Sequence, residues 1–257
     1  MIVDVNVNLS RWPFRRLPFD DTASLVDKLK TSGISQAWSG SFDTLLHRDI
    51  AGVNARLAEE CQRFGNLLLP VGSVNPTLPD WSEDLRRCRE VHGMRVIRLH
   101  PNYHGYTLDS PECHALCAQA AQHQLVVQLA LKMEDARLHH PLLQVANVDV
   151  KPLQNLVEQH PKLRWVIMNN YGTVSHAAAA KLASAGQVYF EISHAERVGS
   201  LETLVKQVPY ERLLFGSHFP FFNLEASLLK FRESQIGRTL TEAIQHKNAQ
   251  RLLPPAA

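Results

Sequence analysis

The side chains best suited to chemistry stand in, or just after, short apolar runs: Asn6 and Asn8 in VDVNVN, Arg98 and His100 in RVIRLH, and Asn169 and Asn170 in WVIMNN. Glu191, Ser193 and His194 stand in YFEISH, and Ser217 and His218 in LFGSHF. Arginine presents a planar fork that matches a carboxylate. A buried arginine needs an anionic partner. Here that is a ligand carboxylate or Glu191; a solvated surface position for Arg98 would need neither. Histidine titrates nearest neutral pH, so His218 is a candidate general base with Glu191 as a partner that orients it; a hydrogen-bonded pocket histidine is the competing reading. Asn6, Asn8, His100, Tyr103, Asn170 and His194 offer hydrogen bonds to a bound substrate. No Ser-His-Asp arrangement follows from spacing alone.

Eight apolar runs read as strands: 2–8, 34–41, 67–76, 94–101, 125–131, 164–170, 188–193 and 212–220. In the first, Val3, Val5 and Val7 alternate strictly with Asp4, Asn6 and Asn8, placing three polar residues on one face. Segments of helical spacing lie between and after the runs, at 22–33, 49–65, 80–93, 112–124, 150–161, 175–186, 200–209 and 240–253, several ending in Gly or Pro. About eight β-then-α units in 257 residues predict one α/β domain over 1–257, a closed (β/α)8 TIM barrel rather than a doubly wound sheet. No glycine-rich phosphate turn follows the first strand. In such barrels the active site lies at the C-terminal strand ends, where the residues above cluster.

The net charge of +2 and the lack of a Lys/Arg run argue against nucleic acid and membrane-surface partners. No apolar stretch approaches membrane-spanning length, and the N-terminus has no signal-peptide pattern. Cys61, Cys88, Cys113 and Cys117 fall in helix-like segments without a C-x-x-C, as expected of reduced thiols in a cytoplasmic protein. Self-association into a homo-oligomer is left open by the sequence.

The strand ends resemble those of the amidohydrolase-related family (amidohydrolase family 2), metal-dependent (β/α)8 hydrolases that include decarboxylases and lactonases. Leu214-Phe215-Gly216-Ser217-His218-Phe219-Pro220 resembles the eighth-strand L-F-G-S-D-x-P, and Asn248-Ala249-Gln250-Arg251-Leu252 the closing N-A-x-R-L. Asp4-Val5-Asn6-Val7-Asn8 stands where the family reads D-x-H-x-H, Val127-Gln128-Leu129-Ala130 where it reads V-Q-F-H, and Asn170-Tyr171-Gly172 where it reads H-x-G. Tyr189-Phe190-Glu191-Ile192-Ser193 matches Y-V-D-L-S. By this resemblance the family's metal slots hold Asn6, Asn8, Ala130, Asn170 and His218, four neutral residues that are poor zinc ligands and one histidine. The expectation is therefore no metal and no cofactor. The resemblance implies metal-independent, lactonase-like hydrolysis of a small carboxylated substrate through His218 and Arg98. The alternatives are a pseudoenzyme that binds a small anion or a partner, and a metal site rebuilt from His100, His194 and His218.

Overall fold

The computed structural model describes residues 1–170 and 172–254. Strands β1 (Val3–Leu9), β2 (Gln36–Ser41), β3 (Leu68–Ser73), β4 (Val96–Leu99), β5 (Val126–Ala130), β6 (Arg164–Met168), β7 (Gln187–Glu191) and β8 (Leu213–Leu214) pair in parallel in chain order. Val5 N donates to Phe215 O and Asn8 N to Phe219 O, each at 3.0 Å, and a parallel bridge joins Val7 to Phe219, so β1 meets the β8 segment and closes the sheet. The architecture is the expected single-domain (β/α)8 barrel. Tyr171, within the H-x-G match, and residues 255–257 of the expected domain lie outside the described residues.

Around the strands run α1 (Thr22–Thr31), α2 (Ile50–Gln62), α3 (Trp81–Glu90), α4 (Pro101–His104), α5 (Pro111–Gln122), α6 (Leu153–Gln159), α7 (His176–Ala185), α8 (Ser200–Gln207), α9 (Leu224–Glu233), α10 (Gly237–Glu242) and α11 (Asn248–Leu252). Their starts follow local chemistry: Asp21, Asp49, Ser110, Ser175 and Asn223 each accept an amide two or three residues ahead. Helices α4 and α9 were not among the expected segments. The α9 sequence nevertheless carries Leu224, Leu228 and Phe231 at helical spacing behind its Asn223 cap. The eighth strand is shorter than 212–220, because the chain leaves the ladder after Leu214 and turns through His218 at φ +57°.

Alternate strand residues serve two layers. Ile97, Leu99, Val127, Leu129, Trp165, Ile167, Val188, Phe190, Leu213 and Phe215 pack outward in the main core with the helices. Val96, Val126, Val166, Met168 and Leu214 join Trp38, Leu69 and Val71 in a separate inner cluster. Further along the same inward faces the residues turn polar, with Arg98, Gln128 and Glu191 all buried.

Strand β1 departs from the expected alternation. Val3 and Val5 belong to the inner cluster, but Val7 and Leu9 belong to the outer one. The register with β2 slips between Asp4 and Val7, three residues advancing against two. Such a bulge re-aims the side chains beyond it. Asn6 and Asn8 then share the inner face, whereas the Asp4 carboxylate accepts from Asn6 N and Ser217 N, each at 3.0 Å, and from the Ser217 hydroxyl. The single polar face is thus split: Asp4 ties β1 to the β8 segment.

Gly216 sits where β1, β7 and β8 crowd together. A Cβ there would stand 2.5 Å from Glu191 Oε2 and 3.1 Å from Asn6 Cβ. Gly216→Ala should lower stability by about 1–3 kcal/mol, the usual range for overpacking, measured by the shift of the urea unfolding midpoint.

Candidate functional site

Arg98 is 2% exposed and reaches across the barrel from β4. Its Nε donates to Gln128 Oε1 at 2.8 Å, on the neighbouring strand and at the paired register position. Its Nη1 donates to Asn8 Oδ1 at 2.6 Å and to Val7 O at 3.3 Å. Gln128 in turn donates to Val5 O at 2.7 Å. The carbonyls of the β1 bulge region thereby receive side-chain donors. Every one of these acceptors is neutral, a solution not among the three expected for Arg98. Burial lowers the guanidinium's pKa to about 10, so it remains charged at neutral pH.

Arginine is donor-only, so Asn8 must present its oxygen and turn its amino group elsewhere. That Nδ2, Arg98 Nη2, Asn6 Oδ1, His100 Nδ1 and His218 Nδ1 are buried without a hydrogen-bond partner among the described residues. Buried polar atoms in that state are uncommon and ask for a reason.

The two carboxylates of the barrel are occupied elsewhere. Glu191 accepts from Asn169 N at 2.6 Å, Ser193 N at 2.7 Å and Ser193 Oγ at 2.8 Å. It clasps the ends of β6 and β7, and burial raises its pKa. The expected Glu191–His218 hydrogen bond is not present: His218 Nε2 lies 2.7 Å from Met133 O. That carbonyl can only accept, so Nε2 carries the proton and the Nδ1 lone pair is the unpartnered atom. The ring stacks on Phe221 at 5.0 Å.

His100 is buried at the start of α4, its ring 5.9 Å from that of His104. Burial holds its pKa well below the usual value. His194 Nδ1 lies 2.8 Å from Ser193 Oγ, and its ring is 5.7 Å from that of His218. Asn170 does not join the network; its side chain bonds both Val174 N and Val174 O at 2.8 Å. Its neighbour Asn169 does, accepting from Asn6 Nδ2 at 2.8 Å and donating to Lys132 O at 2.6 Å.

Above this layer lies an aromatic roof. Trp12 meets Phe14, Phe42 and Phe221 edge-on at 5.3, 5.3 and 4.9 Å, and Tyr103 packs against the same cluster, which includes Ala130 and Met133. Arg15 pairs with the buried Glu134 and lies over the Phe221 ring at 5.5 Å, pinning the strap after β1 to the loop after β5. Sequence reading passed over Trp12, Phe42, Glu134 and Phe221. The available signal was aromatic residues directly following strand ends, in SRWPF, GSF and HFPFF. An open cleft of about 490 Å³ lies beside the roof, between the β7–α8 loop and α9, but Arg98, His100 and His218 do not line it.

The amidohydrolase family model matches residues 14–254. The chain belongs to the amidohydrolase family. No curated protein matches it. Its fold is similar to 5-carboxyvanillate decarboxylase from Sphingomonas paucimobilis (TM-score 0.80, 11% identity, 98% of each chain covered). It is also similar to 2,6-dihydroxybenzoate decarboxylase from Rhizobium (0.73, 16%, 98% of each). A third similar structure is a dihydroxybenzoic acid decarboxylase from Polaromonas sp. JS666 with bound manganese (0.79, 14%, 98% of this chain and 96% of that one). At these identities the likeness is one of fold.

The residues that the resemblance places at metal slots do not fit a divalent metal. Ala130 offers no donor and packs in the apolar roof cluster. Asn170 is engaged by its own loop, which leaves the Nδ1 lone pair of His218 as the one strong ligand atom in these slots, too few to hold a metal. No group of three or more His, Cys, Asp or Glu among the described residues is arranged to hold a metal, and that includes His100, His194 and His218. No helix is long and apolar enough to cross a membrane, and the four cysteines are buried and free.

Burial lowers the His218 pKa from 6.5 to about 4. The unfolded chain then holds the extra proton between those values, so this contribution to stability is complete above about pH 6.5 and is lost as pH falls toward 4. The stability deficit of His218→Asn relative to wild type should accordingly shrink from pH 7 to pH 4, as measured by chemical denaturation across that range.

Proposed function

We propose that this protein binds a small hydroxylated carboxylate inside the barrel, with Arg98 holding the anion. The observation that carries the reading is the unpartnered buried set around Arg98. Arg98 Nη2 and the adjoining Asn8 Nδ2 are two donors near one charge, the complement of a carboxylate's two oxygens. Asn6 Oδ1 and His218 Nδ1 are acceptors, the complement of a ligand hydroxyl. Asp4 and Glu191 have their oxygens filled by backbone and serine donors, so the ligand supplies the negative charge that Arg98 lacks. The roof of Trp12, Phe42 and Phe221 suits a planar, ring-bearing ligand. Three relatives of similar fold bear the names of decarboxylases of carboxylated phenols, which supports this ligand class.

A thermal-shift screen of hydroxylated and plain mono- and dicarboxylates, then calorimetry, tests the reading. A charge-assisted hydrogen bond contributes roughly 1.5–3 kcal/mol, so Arg98→Ala should weaken the best hit by roughly 10- to 150-fold. Arg98→Lys should recover only part, because the fork is lost. Unchanged binding in Arg98→Ala, or no carboxylate that stabilises the wild type, ends the proposal.

A second reading, metal-independent hydrolysis, is favoured by one observation: the His218 Nδ1 lone pair is buried and oriented by the Nε2 bond to Met133 O. In a lactone, Nδ1 would take a proton from water as its oxygen bonds to the carbonyl carbon. The ring C–O bond then breaks and the departing oxygen recovers that proton. The reading predicts that lactone opening by the wild type falls by at least about 100-fold in His218→Ala, in line with the usual worth of a general base. Equal rates would leave binding as the function.

A further inference from the structure

We infer that the Arg98 guanidinium is a built-in cation in the part of the barrel where the family resemblance places a divalent metal, and that its presence excludes one. Nη1 stands 2.6 Å from Asn8 Oδ1, and Asn8 is one of the metal slots. The guanidinium fills the space across to β2: a Cβ on Gly40 would come within 2.9 Å of Nη1 and 3.1 Å of the guanidinium carbon. A donor-only group there also occupies one of the two Asn8 oxygen lone pairs and holds its cationic charge against that oxygen.

The slot residues make sense in these terms. A guanidinium wants acceptors with oxygen lone pairs and no proton of their own, and Asn8 and Gln128 supply them. The other slots, Asn6, Ala130, Asn170 and His218, include no carboxylate that would draw a cation. The carboxylates nearest in chemistry, Asp4 and Glu191, are bound by backbone amides and hydroxyls. A divalent ion brought beside a buried guanidinium would meet strong repulsion, because little water screens the pair. Replacing the slot residues by metal ligands would therefore not suffice while Arg98 remains.

The test compares three full-length chains that all carry N6H, N8H, A130H, N170H and H218D: one with Arg98, one with R98K and one with R98M. Each is checked for folding by circular dichroism and titrated with Mn²⁺ and with Zn²⁺ by calorimetry, with no carboxylate present. The chain with Arg98 should bind metal at least ~100-fold more weakly than the R98M chain, with R98K between them. If R98M prevents folding, the R98K chain still decides, and it should bind ~10-fold more tightly than the Arg98 chain because a single ammonium lacks the fork with which Arg98 reaches both Gln128 and the Asn8 slot. Equal affinity in all three chains, or no metal binding in any, overturns the inference. These titrations contain no anion, so their failure is separate from failure of the carboxylate reading, which the wild-type screen decides.

Discussion

A positive charge buried in the middle of a barrel and hydrogen-bonded only to neutral oxygens constrains everything near it. Arg98 cannot shed its charge at neutral pH, and an unpartnered guanidinium in a dry interior costs several kcal/mol. Four surrounding features answer that demand. Gln128 stands beside it on β5, Asn8 faces it from β1, the β1 bulge turns a backbone carbonyl inward, and Gly40 leaves room for Nη1. Removing any one of these would leave a donor unsatisfied or a clash, so they behave as one network rather than as separate contacts. The demand is met incompletely, since Nη2 has no partner among the described residues, and that residue of unmet chemistry is what points to a ligand.

The acidic side chains have been drawn into closing the barrel. Asp4 joins β1 to the β8 segment, and Glu191 joins the end of β6 to the end of β7, each through backbone amides and a serine hydroxyl. Burial raises the Asp4 pKa to about 7 and raises that of Glu191 as well. Both are structural clasps at the strand ends, and the mouth is left with donors and histidines in place of free carboxylates. The roof adds a second consequence. Trp12 and Phe42 are buried in it, and the polar side chains of the barrel are buried as well, which strengthens any charge–charge contact made among them.

The structural neighbours share this fold at 11–16% identity, and fold likeness at that level leaves the chemistry to the individual side chains. In this chain those side chains present a fixed cation, oriented amides and histidines, and no group of three or more His, Cys, Asp or Glu among the described residues is arranged to hold a metal. The same eight-stranded frame can carry either arrangement, because the strand ends tolerate replacement while the apolar layers beneath them hold the barrel closed.

By itself the sequence determined the barrel, since period-two apolar runs alternating with capped helical segments leave few other ways to bury both faces of a parallel sheet. It also determined the family, through LFGSHFP and NAQRL, and it marked Arg98, His100 and His218 as chemistry-bearing strand ends. Three things were decided only by tertiary structure. The β1 bulge separated Asp4 from Asn6 and Asn8, because register depends on pairing with β2 and β8 and not on the alternation within β1. Asn169 rather than Asn170 entered the network, because a left-handed turn at φ +56° redirects the chain just past β6. The partners of Arg98 came from β1 and β5, residues 30 and 90 positions away, and no local pattern encodes contacts made by closing a circle of strands.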